Sequence, residues 1–250
     1  MGPASEEHLY GINSVQAALR ARRRALHMLW LKQGELSPRL RELEVLASSA
    51  GVPVKLAANE DLEMLCHSRN HQGAVLACGA LPPMEVRALL DTTAPDGGWP
   101  LLVALDQVSD PRNLGAVVRS AKAFGARAVI VPRHQQAPAS PAASSTSAGA
   151  LEDFPLAEVA NLARFLGEAR KAGWWVAGAA ADGGKGLDTV VPGQPLVLVL
   201  GNEAKGLRTL VEKNCDFLLT LHLPGGGSLN VSAAASVLLY GLRQRMVQSA

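Results

Sequence analysis

Two five-residue runs of purely aliphatic residues, Leu101–Leu105 and Leu196–Leu200, constrain the fold of this chain more than any other feature. No polar residue alternates within them, so both faces of each predicted strand need to be covered, as happens inside a parallel sheet. A third strand-like stretch begins at Leu218 and leads into glycines 225 to 227. After each strand come polar or glycine residues and then a helix pattern. The sequence therefore predicts an α/β fold built on a parallel sheet.

The first of these helices separates an apolar face from a cationic face. Asp110-Pro111 is a typical helix start, with Asp as the cap and Pro in the first turn. The inward face follows helical spacing through Leu114, Val117, Val118 and Ala121. At about 100° per residue, Arg112, Gly115 and Arg119 fall on the opposite face. A solvated stripe would explain the arginines, but glycine is a poor helix former, and its place beside Arg119 predicts room for a close-lying group.

Polar residues also follow the other two strands. Gly201-Asn202-Glu203 comes directly after the second run, and Glu203 is either a catalytic or hydroxyl-binding carboxylate or the cap of a short helix. Ser228–Ser232 opens a long Ala-rich helix. Its polar side chains either cap that helix or present a helix N-terminus to an anionic or oxygen-rich ligand. Open α/β sheets bind ligands at the carboxyl ends of their strands, so the three segments predict one site.

The three segments together resemble the signature motifs of the SpoU (TrmH-type) RNA ribose 2'-O-methyltransferases of the SPOUT superfamily. The matching residues are Asp110-Pro111-Arg112-Asn113-Leu114-Gly115 with Arg119, Gly201-Asn202-Glu203 with Gly206, and Ser228-Leu229-Asn230-Val231-Ser232. The resemblance extends to residues 147–152. Residues 8–15 and 70–73 look like the extra domain of the bacterial 23S rRNA guanosine 2'-O-methyltransferase subgroup.

The resemblance implies an architecture that the local patterns do not reveal. Residues 1–80 would form a substrate-binding domain resembling the L30e/L7Ae ribosomal proteins, and residues 101–250 a methyltransferase domain with a C-terminal trefoil knot, a rare exception to unknotted topology. The proline- and glycine-rich residues 81–100 are expected to be a linker. The family further implies a homodimer with the active site near the subunit interface.

The implied reaction transfers a methyl group from S-adenosylmethionine to a ribose 2'-hydroxyl, expected to be that of a guanosine in large-subunit rRNA. The resemblance assigns catalysis to Asn113, Arg119, Glu203, Ser228 and Asn230, and cofactor binding to Gly201, Leu221, Leu229, Asn230 and Ser232. The family's base has been assigned to the arginine that corresponds to Arg119. Because a guanidinium stays protonated in proteins, we assign Arg119 to charge stabilisation and phosphate binding and leave the proton acceptor open.

Charge adds a limited argument for an RNA partner. The net charge is only +2, but basic residues cluster locally. The predicted RNA contacts are Arg20, Arg22, Arg23, Arg24, Arg112 and Arg119, although a run such as residues 20–24 is also typical of a solvated helix end.

Two departures from the family pattern bear on the cofactor site. Ala204 stands where glycine usually follows the motif glutamate, and Leu221-His222 stands where Ile-Pro is usual. Alanine at the first position would be strained only if the backbone there has a positive φ.

Several other function classes remain to be weighed. No apolar run is long enough to span a bilayer, and three cysteines without CxxC spacing argue for neither disulfides nor zinc, so we expect a cytoplasmic protein without membrane contact. Gly183–Gly186 lacks the spacing of a phosphate-binding loop, and the absence of GxGxxG disfavours a dinucleotide-dependent oxidoreductase. A non-catalytic RNA-binding or ribosome-assembly factor remains an alternative, as does the same chemistry on tRNA.

The remaining segments carry simpler predictions. In the N-terminal region, helices are expected at 13–24, 38–50 and 60–66, and strands at 26–31, near 54 and at 73–78. The Ala/Pro/Ser-rich composition of residues 135–147 predicts a surface loop over the first half of this segment. The family resemblance implies that the end of the segment lies near the substrate, where it could become ordered on RNA binding. A helix is expected over 156–172 and a strand over 174–178.

Overall fold

The computed structural model describes residues 6–84, 86–90, 100–190 and 194–247, which belong to two compact units. The first unit comprises Met1–Pro82 and Pro138–Phe154, and the second comprises Pro83–Ala137 and Pro155–Ala250. The predicted division at residues 80 and 101 places residues 138–154 in the second domain, whereas their contacts group them with the first unit. Among the described residues, no helix has both the length and the apolar character needed to cross a membrane.

The first unit is built on a four-stranded mixed sheet in the order β1-β4-β2-β3. β4 is antiparallel to both β1 and β2, and β3 is parallel to β2. Its elements are β1 (Glu7–Tyr10), α1 (Ile12–Ala21), β2 (Leu26–Lys32), α2 (Pro38–Ser49), β3 (Val54–Ala57), α3 (Asn59–Cys66), β4 (Ala74–Cys78), α5 (Pro141–Thr146) and α6 (Ala150–Asp153). The predicted helices and strands of this region are confirmed to within a few residues. β1 was not predicted, and α1 ends before Arg22, which has a left-handed φ of 50°.

The turn at residues 70–73 caps the start of α1. The side-chain oxygen of Gln72 accepts a hydrogen bond from Ile12 N at 3.1 Å, and Gly11 supplies no capping side chain of its own. The buried His71 accepts a bond from Gly73 N through Nδ1 at 3.0 Å. This turn therefore satisfies a backbone donor that the first turn of any helix leaves open.

Residues 135–140, the first half of the expected loop, contain no helix or strand, whereas Pro141–Thr146 and Ala150–Asp153 form two short helices inside the first unit. Gly149 lies against α1 with a φ of +86°, and a Cβ there would come within 2.5 Å of Asn13 O, so only glycine fits. Ala143 and Leu151 are buried. Small residues allow this close packing, and the same composition is what suggests an unstructured loop when the sequence is considered alone.

A buried ion pair holds α6 in the first unit. Arg24 donates through Nε to Glu152 Oε2 at 2.7 Å and through Nη2 to Glu152 Oε1 at 3.1 Å. A further bond joins Arg24 to Glu7 at 2.7 Å. The side chains of Arg24 and Glu152 are 0% and 1% exposed. Burial by itself would lower the pKa of Arg24, but the hydrogen bond and the charge of Glu152 raise it, and the net effect is a pKa above the ordinary value.

The second unit is built on a six-stranded sheet in the order β10-β8-β9-β5-β6-β7, and every neighbouring pair is parallel. Its elements are β5 (Leu101–Leu105), α4 (Pro111–Ala123), β6 (Ala128–Pro132), β7 (Leu156–Val159), α7 (Leu162–Lys171), β8 (Trp175–Ala179), β9 (Leu196–Leu200), α8 (Thr209–Glu212), β10 (Phe217–Leu219) and α9 (Val231–Val247). Every residue of β5 and β9 is buried, which confirms the prediction of strands covered on both faces.

The helix α4 confirms its predicted start and inward face, with one exception. Asp110 accepts a bond from Arg112 N, and Leu114 is buried as expected. Gly115, predicted on the open polar face, is also buried, so the covered side of α4 is wider than its apolar stripe. One flank contacts α9, where the hydroxyls of Ser120 and Ser236 lie 2.8 Å apart.

Two predicted segments are corrected in this unit. The helix expected over 156–172 is split, because residues 156–159 pair with β6 as β7 and Asn161 then caps α7 through a bond from Arg164 N. The start of the expected linker packs on the core of the second unit, and Trp174 Nε1 donates to Leu90 O at 3.0 Å. Linker residues 91–99 lie outside the described residues.

Candidate functional site

A cleft of about 290 Å³ opens at the carboxyl ends of β8, β9 and β10. Five predicted site residues line it: Gly201, Glu203, Leu221, Ser228 and Leu229. Its apolar wall includes Leu219, Leu223 and Leu238, and Glu203 is the acidic residue of its lining. The cleft therefore combines apolar surface with a few polar groups, as small-molecule sites generally do.

The loop after β9 folds back on itself to form one side of this cleft. Asn202 N donates to Gly206 O at 3.0 Å, and Gly206 N donates back to Asn202 O at 2.9 Å. A Cβ on Gly201 would lie 2.4 Å from the carbonyl carbon of Gly206, so position 201 accepts glycine alone. Ala204 does not have a positive φ. Alanine in place of the family's usual glycine therefore causes no backbone strain at this position.

Residues outside the three motifs anchor the same loop to the end of β5. Asp106, fully buried after the last residue of β5, accepts bonds from Arg208 N at 2.8 Å and Arg208 Nε at 2.7 Å. Asn202 Nδ2 donates to Gln107 O at 2.9 Å. The sequence does contain an indication that Asp106 is functional, because this carboxylate directly follows a buried strand. Its partner could not be read from the sequence.

Two predicted catalytic residues are in direct contact. Asn113 Nδ2, from the first turn of α4, donates to Glu203 Oε1 at 2.6 Å. This bond joins the first and second motifs at the rim of the cleft. Glu203 does not cap the following helix, because α8 begins at Thr209 with Arg208 at its N-cap position. The capping interpretation of Glu203 is therefore wrong, and its catalytic or hydroxyl-binding role stays a prediction.

The arginines of α4 remain directed to solvent. Arg119 is exposed, and within the described ranges it has no hydrogen-bond or ion-pair partner. Arg112 is 79% exposed and lies 3.4 Å from Asp110. Neither arginine lines the cleft. An exposed guanidinium without a protein partner retains all its donors for a phosphate.

The third motif divides between the cleft and the start of α9. Ser228 and Leu229 line the cleft, whereas Asn230 and Ser232 do not. Asn230 Oδ1 accepts bonds from Ser232 N at 2.9 Å and Ser232 Oγ at 2.6 Å, so Asn230 acts as the cap of α9. Leu221 and Leu223 line the cleft despite the departure from the usual Ile-Pro pair.

The basic run of the first unit has mixed environments. Arg20 is exposed and pairs with Glu42 at 2.6 Å, Arg22 donates to Ser49 O at 3.1 Å, and Arg23 donates to Phe154 O at 3.0 Å. Arg24 is buried, so the prediction that it contacts RNA is wrong. Its position in the run gave no sign of this, because its partner Glu152 lies far along the chain.

Two known protein families match long stretches of the chain. The SpoU rRNA Methylase family matches residues 100–240, and the RNA 2'-O ribose methyltransferase substrate binding family matches residues 8–84. The chain is 38% identical to the 23S rRNA (guanosine-2'-O-)-methyltransferase RlmB of Pseudomonas putida, over 97% of this chain and 98% of that protein. It is 39% identical to RlmB of Pseudomonas aeruginosa, over 96% and 97%.

A solved structure is similar over nearly the same extent. The SpoU methyltransferase AviRb from Streptomyces viridochromogenes, in complex with the cofactor AdoMet, superposes with a TM-score of 0.80. It is 25% identical, and the match covers 98% of this chain and 92% of that chain.

Proposed function

Because the chain belongs to the SpoU rRNA methylase family, we propose that it transfers a methyl group from S-adenosylmethionine to the ribose 2'-hydroxyl of a guanosine in 23S rRNA. The observation that carries this proposal is the cleft that joins the second and third motifs, with the first motif held to it by the Asn113–Glu203 bond. The names of the RlmB relatives support the substrate. The AdoMet complex of AviRb supports the cofactor.

The residues of the cleft fit S-adenosylmethionine. The apolar wall around Leu221 and Leu229 suits the flat face of an adenine, and the carboxylate of Glu203 suits a cationic ligand. The bound cofactor supplies an electrophilic methyl group. We assign Gly201, Leu221 and Leu229 to binding it through the walls of the cleft. Asn230 and Ser232 would act indirectly, by fixing the start of α9.

The chain's own residues position the acceptor ribose. Displacement requires the hydroxyl oxygen in line with the methyl carbon, so orientation provides much of the rate. Glu203, which accepts a bond from Asn113, and Ser228 both line the cleft, and we assign them to holding that hydroxyl. Arg119, exposed and permanently charged, would bind an RNA phosphate and stabilise negative charge at the acceptor.

We further propose that the first unit is an L30e-like domain that captures the RNA, and that the second unit carries the chemistry. The match of residues 8–84 to a substrate-binding family supports the first assignment. Arg20, Arg22 and Arg23 remain candidates for phosphate contact, together with Arg112. A cytoplasmic location, with no membrane partner, fits a substrate of rRNA.

The knot and the homodimer are also part of this proposal. Loops after β8, β9 and β10 line one cleft together with α9, which is the region where the family's knot would thread. On α9, Ala233, Val237 and Tyr240 recur at helical spacing and are exposed, Val237 by 45% and Tyr240 by 54%. An exposed apolar stripe of this kind favours contact with a second copy of the chain.

Single-turnover methylation of a 23S rRNA fragment, with cofactor titration, tests the residue roles. Arg119→Ala should leave folding and cofactor affinity nearly intact and lower the rate by about 100-fold or more. Arg119→Lys should remain impaired, because lysine keeps the charge but loses the planar fork. Asn230→Ala should weaken cofactor affinity as well as rate, because it removes the cap of α9.

Arg69→Ala provides the matched control, since the Arg69 side chain is 90% exposed and lies in the other unit. Its single-turnover rate should equal that of the wild type. If Arg119→Ala instead loses cofactor affinity while its rate at saturation is unchanged, the assignment of Arg119 to the RNA side is refuted. If the wild type binds no cofactor and methylates no RNA, the proposed function itself fails.

A further inference from the structure

A second cleft of about 290 Å³ opens in the second unit, and none of the proposed catalytic, cofactor-binding or RNA-contact residues lines it. It is bounded by the segments that follow β6 and β7 and by α8. These strands belong to the same parallel sheet as β8 and β9. The second cleft therefore shares the carboxyl edge of that sheet with the first cleft, called the cofactor cleft below because it is lined by Gly201, Leu221 and Leu229. This is the edge at which open α/β sheets bind ligands.

The two clefts lie on either side of one loop. Gly206 lines the cofactor cleft and Arg208 lines the second cleft. Two residues of chain span at most about 7 Å, so the clefts are close neighbours. A nucleotide with its ribose at the first cleft therefore has an adjacent nucleotide within reach of the second.

The walls of the second cleft suit a nucleobase. Leu210, which is 69% exposed although it is a leucine, supplies most of the apolar surface, and the largely buried Pro132 and Leu162 lie behind it in the lining. Gln135 and Asn161 supply amide groups at the same opening. Proteins hold unstacked single-stranded RNA bases through stacking, on guanidinium planes among others, and through hydrogen bonds to the base edges; Arg208 and these amide groups can supply both.

The charge of this cleft suits RNA as well. Among the described residues that line it, none is acidic, and Arg208 is cationic. The guanidinium of Arg208 is held by Asp106 through Nε and one terminal nitrogen, and its side chain is 44% exposed. Its remaining N–H groups can donate to a phosphate or a base edge without losing this anchor.

One polar side chain at this opening is also fixed in place. The carboxamides of Gln107 and Gln135 are hydrogen-bonded to each other, and both residues have a left-handed φ, 62° and 58°. Non-glycine residues adopt this conformation at some energetic cost. The bond to Gln107 therefore orients the carboxamide of the exposed Gln135 at this opening.

From these observations we infer that the second cleft binds the base of a nucleotide adjacent to the one that is methylated. The inference rests on the proposed function, and it adds a contact that selects the local RNA sequence. Leu210 and Pro132 would contact the face of the base, and Gln135 its edge. Arg208 would link this base-binding cleft to the loop that carries Glu203.

The test combines a protein variant with abasic RNA. After the methylated position is mapped with the wild-type protein, substrates are made with the base removed from the 5' or the 3' neighbour. For the wild type, one of these abasic substrates should react on the order of 10-fold more slowly than intact RNA. For Leu210→Ala, methylation of intact RNA should fall by a similar factor, and the same abasic site should cause little further loss.

Val45→Ala is the matched control, because Val45 is an aliphatic residue on a helix of the other unit with a similar exposure of 64%. It should respond to the abasic site as the wild type does. If Leu210→Ala and the abasic sites act independently, or if no abasic neighbour slows the wild type, the inference is refuted while the proposed function stands. If the wild type methylates no RNA at all, the proposed function fails and this inference fails with it.

Discussion

The buried pair between Arg24 and Glu152 provides the sharpest test of how residues 138–154 are held. Glu152→Ala removes a carboxylate that accepts two bonds from a guanidinium with no exposed surface. Removing one partner of a buried pair costs about 3–5 kcal/mol, because the other charge stays in the interior without compensation. Glu7, bonded to the same guanidinium at 2.7 Å and 22% exposed, retains part of that compensation. We therefore expect a loss near the lower limit, about 3 kcal/mol.

Hydrogen exchange of the amides in β4, the strand between β1 and β2, measures this loss within the first unit. Whole-chain denaturation is less suitable, since two units need not unfold in one step. Glu42→Ala is the control, because its pair with Arg20 is half exposed and should contribute at most about 1 kcal/mol. A loss for Glu152→Ala as small as that of the control would refute the buried pair.

A second variant separates stability from RNA binding. Replacing both partners, Arg24→Met with Glu152→Leu, should cost far less than Glu152→Ala, since apolar side chains of similar volume can substitute for a buried pair. Its affinity for rRNA should equal that of the wild type at every salt concentration. If Arg24 did contact a phosphate, the double variant would instead bind more weakly and lose about one unit of salt dependence.

Three further predictions follow from the geometry. Asp106→Asn would place an amide NH₂ against the donors of Arg208 and loosen the loop of residues 201–208 that follows β9, so both cofactor affinity and single-turnover rate should fall about 10-fold. Burial raises the pKa of Cys78 from 9.0 to about 12, so the free energy of unfolding of the first unit should fall as the pH rises between these values. In Cys78→Ala this fall should be less steep, as measured from the urea transition of the first unit. A chain cut to residues 97–250 leaves 138–154 without its packing partners, and size-exclusion chromatography should show it aggregated rather than monodisperse.

The contrast between β5 and residues 138–154 shows what local patterns can predict. A run of five aliphatic residues has one favourable environment, a strand covered on both faces, and β5 is buried throughout. The Ala/Pro/Ser segment is compatible with solvent or with close packing. Its helices pack in the first unit because Gly149 allows α1 to approach closely and because Glu152 forms an ion pair with Arg24. Both α1 and Arg24 are far from this segment in sequence.

The sequence by itself determined the parallel α/β fold, the inward face of α4 and the three motifs, because periodicity and strand length act over a few residues. Tertiary structure alone decided which polar groups meet. Asn113 reaches Glu203 across 90 residues of chain, and Asp106 holds Arg208 across 102. The same long-range packing converts Arg24 from an apparent RNA contact into a buried ion pair. The sequence specifies the charge of a side chain. Whether that charge faces solvent or a partner depends on residues that come together only in the folded chain.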